Sequence, residues 1–142
     1  MNPSWWWPLD NKNPVIWIVE DDPSTQRIVA EHLKASQLQP VLFDTAEKAY
    51  AALRAQTLPN LIILDMLLPG MSGVDLIRLI KQNVDWAKIP VVVVTVLSRE
   101  ESIGTGSEAA TAFWVNKPFD TNNLIQTVMD VLASVGQDGK VP

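Results

Sequence analysis

The 142 residues, 47% hydrophobic and 19% charged, suit one globular domain with its own core and exclude a disordered chain. The net charge of −5, with no run of lysine or arginine, argues against a domain that grips nucleic acid through its phosphates. Without cysteine there is no disulfide frame, thiolate nucleophile or cysteine metal site, and no apolar run approaches a membrane span.

Residues 1–14 (MNPSWWWPLDNKNP) form a segment apart, a Trp/Pro-rich extension. Its prolines oppose regular structure, yet Trp5, Trp6 and Trp7 are too apolar for an indifferent tail. Two readings fit: a leader whose indoles fold back on the domain, and an aromatic anchor for a partner or a second copy. No basic region precedes the apolar part, so the segment does not resemble a secretory signal, and the cytoplasm is the expected compartment.

Val15 to Val19 is the first apolar strand, and it runs into Glu20, Asp21 and Asp22. Pro23 suits a first helical turn, and Thr25, Ile28, Val29, Leu33 and Ser36 continue one helical face. Val41 to Phe43 makes a second short strand. The run from Asp44 to Glu47 reads as a capping box for a helix carrying Ala46, Ala49, Tyr50 and Leu53.

Leu61 to Leu64 is an unbroken apolar run of the kind buried on both faces of a parallel sheet, and it ends at Asp65. After Pro69-Gly70, Ser72 can cap a helix that buries Leu76, Ile77 and Ile80. Ile89 to Val94 is the most apolar strand and stops at Thr95. From Arg99 to Ala112 the pattern fails: Gly104 and Gly106 each cost a helix about 1 kcal/mol, so a short or broken helix is expected there. Phe113 to Val115 is the last strand, followed by Asn116-Lys117-Pro118. A closing helix from Asn122 to Val135 then has Gly136 placed to stop it, leaving a tail at 137–142.

Strands alternating with helices predict a parallel sheet covered by helices on both faces. In such a sheet the carboxyl ends lie on one edge, which brings Asp21, Asp22, Asp65, Thr95 and Lys117 together. Three carboxylates close together repel more strongly than one lysine can balance, whereas a hard divalent cation such as Mg²⁺ suits an oxygen-only site. The same arrangement suits phosphoryl transfer, with Asp65 as nucleophile and Lys117 and the Thr95 hydroxyl holding phosphoryl oxygens. Glu20 is expected as a solvated neighbour of the acidic pair, and His32, the sole histidine, as a surface or half-buried residue.

The stretches VEDDPSTQRIV, LIILDMLLPGMSG, VVVVT and VNKPF, in this order and spacing, resemble the receiver domain of bacterial two-component response regulators. The resemblance covers about Val15 to Val135, sets the receiver domain at residues 15–136, and implies a flavodoxin-like, doubly wound sheet of five strands in the order 2-1-3-4-5. It implies that Asp65 accepts a phosphoryl group from a histidine kinase or phosphotransfer protein, and that Asp21, Asp22, Asp65 and the Leu67 backbone carbonyl hold Mg²⁺. It makes Thr95 and Trp114 the switch pair, Lys117 the conserved cation, and the peptide before Pro118 cis. Such a protein is a signalling phosphoacceptor rather than an enzyme. It passes its signal to a protein target or output domain, with a homodimer among the options, through the fourth helix, fifth strand and fifth helix.

Some residues depart from the family pattern. Trp114 stands where tyrosine or phenylalanine is usual, Val96 replaces a small residue, and Leu67 and Leu97 are apolar at positions that influence attack by water. Slow loss of the phosphoryl group is therefore expected, and hydrolysis within seconds in Mg²⁺ would count against it. Two rival functions are a docking module indifferent to phosphorylation and an aspartate-nucleophile phosphohydrolase. The latter needs a second aspartate where Leu67 stands. A nucleotide-binding domain would need a Gly-x-Gly-x-x-Gly after the first strand, which this chain lacks. No output domain is visible after the closing helix, and two readings stay open: a single-domain regulator, or a receiver cut from something longer.

Overall fold

The apolar runs pair as their composition predicts. A computed structural model describes residues 13–96 and 113–138, with side chains through residue 135. The strands are β1 (Val15–Val19), β2 (Gln39–Phe43), β3 (Leu61–Asp65), β4 (Val91–Thr95) and β5 (Phe113–Asn116). All neighbours are parallel, and the order across the sheet is β2-β1-β3-β4-β5. Burial follows that order. Every residue of β3 and β4 is buried, whereas the edge strands β2 and β5 each expose part of their length. Pro40, which has no N–H to donate, sits on edge strand β2, where a missing ladder bond is tolerated.

Among the described residues, four helices cover the sheet: α1 (Pro23–Ala35), α2 (Ala46–Arg54), α3 (Gly73–Gln82) and α4 (Thr121–Asp138). Because strand side chains alternate, the core divides into two layers. Trp17, Val19, Ile62 and Leu64 pack with Leu53 of α2 and Ile77 of α3. Ile16, Ile18, Ile63 and Val92 pack with Leu33 of α1 and Val128 of α4. Each fully buried aliphatic side chain contributes about 2 kcal/mol, so these layers, rather than helix propensity, hold the short elements in place.

Three local expectations are corrected. The start of α2 is shifted by one residue: Thr45 is the N-cap and accepts from the Lys48 N–H at 3.1 Å. Asp44 pairs with Lys48 instead, which frees Glu47 for another contact. Secondly, α4 continues through Gly136 to Asp138, because the apolar stripe on α1 and the sheet outweighs one glycine's propensity cost. Thirdly, the helical face that carries Ile28, Val29 and Leu33 is not uniformly buried: Val29 and Leu33 are buried, whereas Ile28 is 45% exposed. Trp5–Trp7, Leu97 and the glycine-containing stretch 99–112 lie outside the described residues. Among the described residues, no helix is long and apolar enough to cross a membrane.

Candidate functional site

The carboxyl edge of the sheet gathers the charged residues of β1, β3 and the segment after β5. Asp65 ends β3 and is only 6% exposed. Its Oδ1 accepts the Leu67 N–H at 3.0 Å, and its Oδ2 accepts from Lys117 Nζ at 3.0 Å. Lys117 Nζ donates again to Glu20 Oε1 at 2.7 Å, so one ammonium bridges two buried carboxylates. The Lys117 N–H is itself fixed by the Thr95 carbonyl at 2.8 Å, and the peptide to Pro118 is cis, as the resemblance implies. Thr95 is fully buried at the end of β4, one position beyond the Asp65–Val94 pair.

One carboxylate oxygen each from Glu20, Asp21 and Asp65 lies within 4.8 Å of the others. The residues that gather with Asp65 are thus Glu20 and Asp21, and Asp22, the other member of the pair expected from sequence, is not in this cluster. Glu20 is 4% exposed, not solvated, and its Oε2 accepts the Asp22 N–H at 3.1 Å. Asp22 is exposed and is the N-cap of α1, with Pro23 in the first turn. Its Oδ2 takes both the Thr25 hydroxyl at 2.6 Å and the Thr25 N–H at 3.0 Å. Those two bonds, the hydroxyl first, hold the Asp22 carboxyl below its usual range.

The signal for this was present in the chain. Ile16 and Ile18 share a core layer, so strand alternation sends residue 20 to the same side. An aspartate immediately before an N-terminal helical proline is an N-cap candidate.

Burial and charge act differently on the two ends of the Lys117–Glu20 pair. Glu20 has its pKa raised, chiefly by burial, with the Lys117 bond opposing. Lys117 also has its pKa raised: burial works against the ammonium, but bonds to Glu20 and Asp65 outweigh it. The lopsidedness follows from geometry, because the Lys117 side chain is 22% exposed and that of Glu20 only 5%. Desolvation falls mainly on the carboxylate.

Two residues missed from sequence shape the site from behind. Gly73 opens α3 against the end of β3, where an added Cβ would stand 2.5 Å from the Asp65 carbonyl oxygen and 2.7 Å from Met66 Cα. Backbone occupies that space, so only glycine permits the approach. Gln26 of α1 donates its side-chain amide to the carbonyls of Glu20 and Phe43, tying the ends of β1 and β2 together. Trp114 is half-buried in β5 and packs against the layer under α2 and α3. The exposed side chains of Leu67 and Val96 are apolar. A groove of about 480 Å³ opens beside Lys117, lined by Thr25, Ile28, Val96, Pro118 and Phe119. His32 is half-buried on α1, with Nδ1 2.9 Å from the Ile28 carbonyl.

Three hard oxygen donors facing one ammonium fit a divalent cation such as Mg²⁺, which balances the excess negative charge without soft ligands. A 2-1-3-4-5 parallel sheet with such a nest at the carboxyl ends of β1 and β3 places its chemistry where the strand order reverses. That is a flavodoxin-like, doubly wound arrangement. The chain belongs to the response regulator receiver domain family, whose family model matches residues 16–129.

It is 33% identical over 125 residues to the transcriptional regulatory protein BaeR of Escherichia coli O6:H1, covering 88% of this chain and 50% of that protein. It is 32% identical over 120 residues to the phosphate regulon transcriptional regulatory protein PhoB of Klebsiella pneumoniae, covering 84% and 52% respectively. The chain thus spans about half the length of the curated relatives it matches. Among solved structures, the signal receiver domain of a signal transduction histidine kinase from Syntrophus aciditrophicus superposes with a TM-score of 0.78 at 30% identity. That match covers 86% of this chain and 92% of the other.

Proposed function

We propose that this receiver domain is a phosphoacceptor in which Asp65 takes a phosphoryl group from a phosphohistidine on a histidine kinase or phosphotransfer protein. The observation that carries the reading is Lys117 Nζ held between Asp65 and Glu20 at the carboxyl edge of the sheet. In the transfer, an Asp65 carboxylate oxygen forms a bond to phosphorus while the P–N bond to the donor imidazole breaks. The electron pair stays on that nitrogen, leaving an acyl phosphate on Asp65. Lys117 moves its hydrogen bond from Asp65 Oδ2 to a phosphoryl oxygen, and the Thr95 hydroxyl donates to another.

Asp21, Asp65 and the Leu67 carbonyl would hold Mg²⁺, with Glu20 beside them and Asp22 retained as the helix cap. When bound, the ion neutralises charge on the carboxylates and the phosphoryl oxygens. Thr95 and Trp114 would relay the new bond toward β5 and α4, the face offered to a protein target or an output domain. The apolar side chains of Leu67 and Val96 disfavour attack by water, which makes the phosphorylated state long-lived. The groove beside Lys117 supports a protein donor, since it can seat apolar side chains next to the reacting carboxylate. The chain acts as a signalling switch rather than an enzyme, and the cytoplasm, where kinases find ATP, is its expected place.

Acetyl phosphate and Mg²⁺ test the proposal directly. Intact-mass spectrometry should show one added phosphoryl group on the wild type and none on Asp65→Asn. An unmodified wild type that still binds a target protein would favour a docking module instead.

A further inference from the structure

The loop from Met66 to Ser72 brings Leu67 beside the acidic nest, and its two ends are tied by neighbouring chain. Leu67 N–H donates to Asp65 Oδ1 at 3.0 Å, and Gly73 N–H donates to the Met66 carbonyl at 3.1 Å. Ser72 and Asp75 close the far end with a capping box. The Gly70–Met71 stretch just before that cap is held from another helix. Glu47, in the first turn of α2, accepts the Met71 N–H on Oε2 at 2.9 Å.

The contact is built into the backbone. Gly70 has φ +75°, and a Cβ there would stand 2.5 Å from the same Glu47 oxygen. The carboxylate therefore lies against bare main chain at Gly70 and Met71. Glu47 lies outside the acidic nest, so the transfer chemistry does not account for this reach.

We infer that Glu47 is a positioning residue for the phosphoacceptor site: its carboxylate fixes the Gly70–Met71 stretch and so restricts the conformations open to the loop whose Leu67 carbonyl would ligate the metal. The inference rests on the phosphoacceptor reading above, and Mg²⁺ affinity gives it a separate readout. A loop released at Met71 samples conformations in which the carbonyl points elsewhere, and binding must then select the competent one.

The test is Mg²⁺ titration of the full chain, followed by tryptophan fluorescence, alongside the rate of acetyl phosphate labelling and the melting temperature. Glu47→Ala should weaken Mg²⁺ affinity roughly threefold to tenfold with little change in melting temperature. Glu47→Asp keeps the charge but is one methylene short, and should shift as alanine does; it also carries the test if the alanine variant fails to fold. Glu47→Gln keeps an acceptor at the right reach and should stay within about twofold of wild type.

Glu47→Ala and Glu47→Asp with wild-type Mg²⁺ affinity would overturn the positioning role alone. A glutamine variant as impaired as alanine would assign the effect to charge and overturn the hydrogen-bond account. A wild type that binds Mg²⁺ but takes no phosphoryl group would overturn the phosphoacceptor reading and leave the Glu47 comparison intact. A wild type that binds no Mg²⁺ would overturn both.

Discussion

Lys117 and Lys48 make ion pairs of nearly the same length in different surroundings. Lys117 lies 2.7 Å from Glu20 and 3.0 Å from Asp65, whose side chains are 5% and 8% exposed. Lys48 lies 2.9 Å from Asp44, with the two side chains 65% and 56% exposed. Water screens the second pair almost completely, while the first sits where each lost partner leaves a desolvated charge behind. Distance alone does not distinguish a surface contact from a buried charge cluster; burial and unbalanced charge do.

The sharpest way to break the comparison is to delete each ammonium in turn. Lys117→Ala should destabilise the metal-free domain by about 3 kcal/mol in denaturant unfolding. Added Mg²⁺ should then recover more stability than it adds to wild type, because the carboxylates are left without a counter-charge. Lys48→Ala should leave the unfolding midpoint unchanged. Equal losses in the two variants would erase the distinction.

A second comparison separates adjacent carboxylates. Asp21→Ala should abolish measurable Mg²⁺ binding while leaving the melting temperature of the metal-free protein near wild type. Asp22→Ala should do the reverse, fraying the start of α1 but keeping Mg²⁺ affinity. If Asp22→Ala loses the metal instead, the assignment from the cap geometry is wrong.

The smallest expected effect concerns pH. The folded pKa of Glu20 stands above its ordinary 4.5, because burial disfavours the charged form. Its contribution therefore favours folding below the unfolded value and fades as pH rises through the folded one. Glu20→Gln should raise the metal-free melting temperature at neutral pH by roughly 1–4 °C, and the advantage should vanish below about pH 4.5. A variant less stable than wild type at every pH would show that the Lys117 contact outweighs desolvation at Glu20.

The fold was legible because its strands are short apolar runs separated by helical periods. The fully buried Leu61–Leu64 and Val91–Val94 stand at the centre of the sheet, as continuous apolar runs require. Asp65 and Lys117 were legible as the polar residues following such runs. Glu20, Asp21 and Asp22 were harder, since three successive carboxylates look alike until a strand phase and a helix cap divide them. Gly73 and Glu47 were not legible at all. The first matters through the approach of α3 to β3, and the second through a contact 24 residues away in the chain. Gly136 misled because a local propensity cost was weighed without the packing that overrides it.

A crystal structure of the domain with Mg²⁺ and beryllofluoride tests the central claim most directly. The account predicts beryllofluoride on an Asp65 carboxylate oxygen and within reach of Lys117. It predicts Mg²⁺ on Asp21, Asp65 and the Leu67 carbonyl, and Asp22 still capping α1. Mg²⁺ bound to Asp22, or an Asp65 left bare while Lys117 keeps both carboxylates, would contradict it.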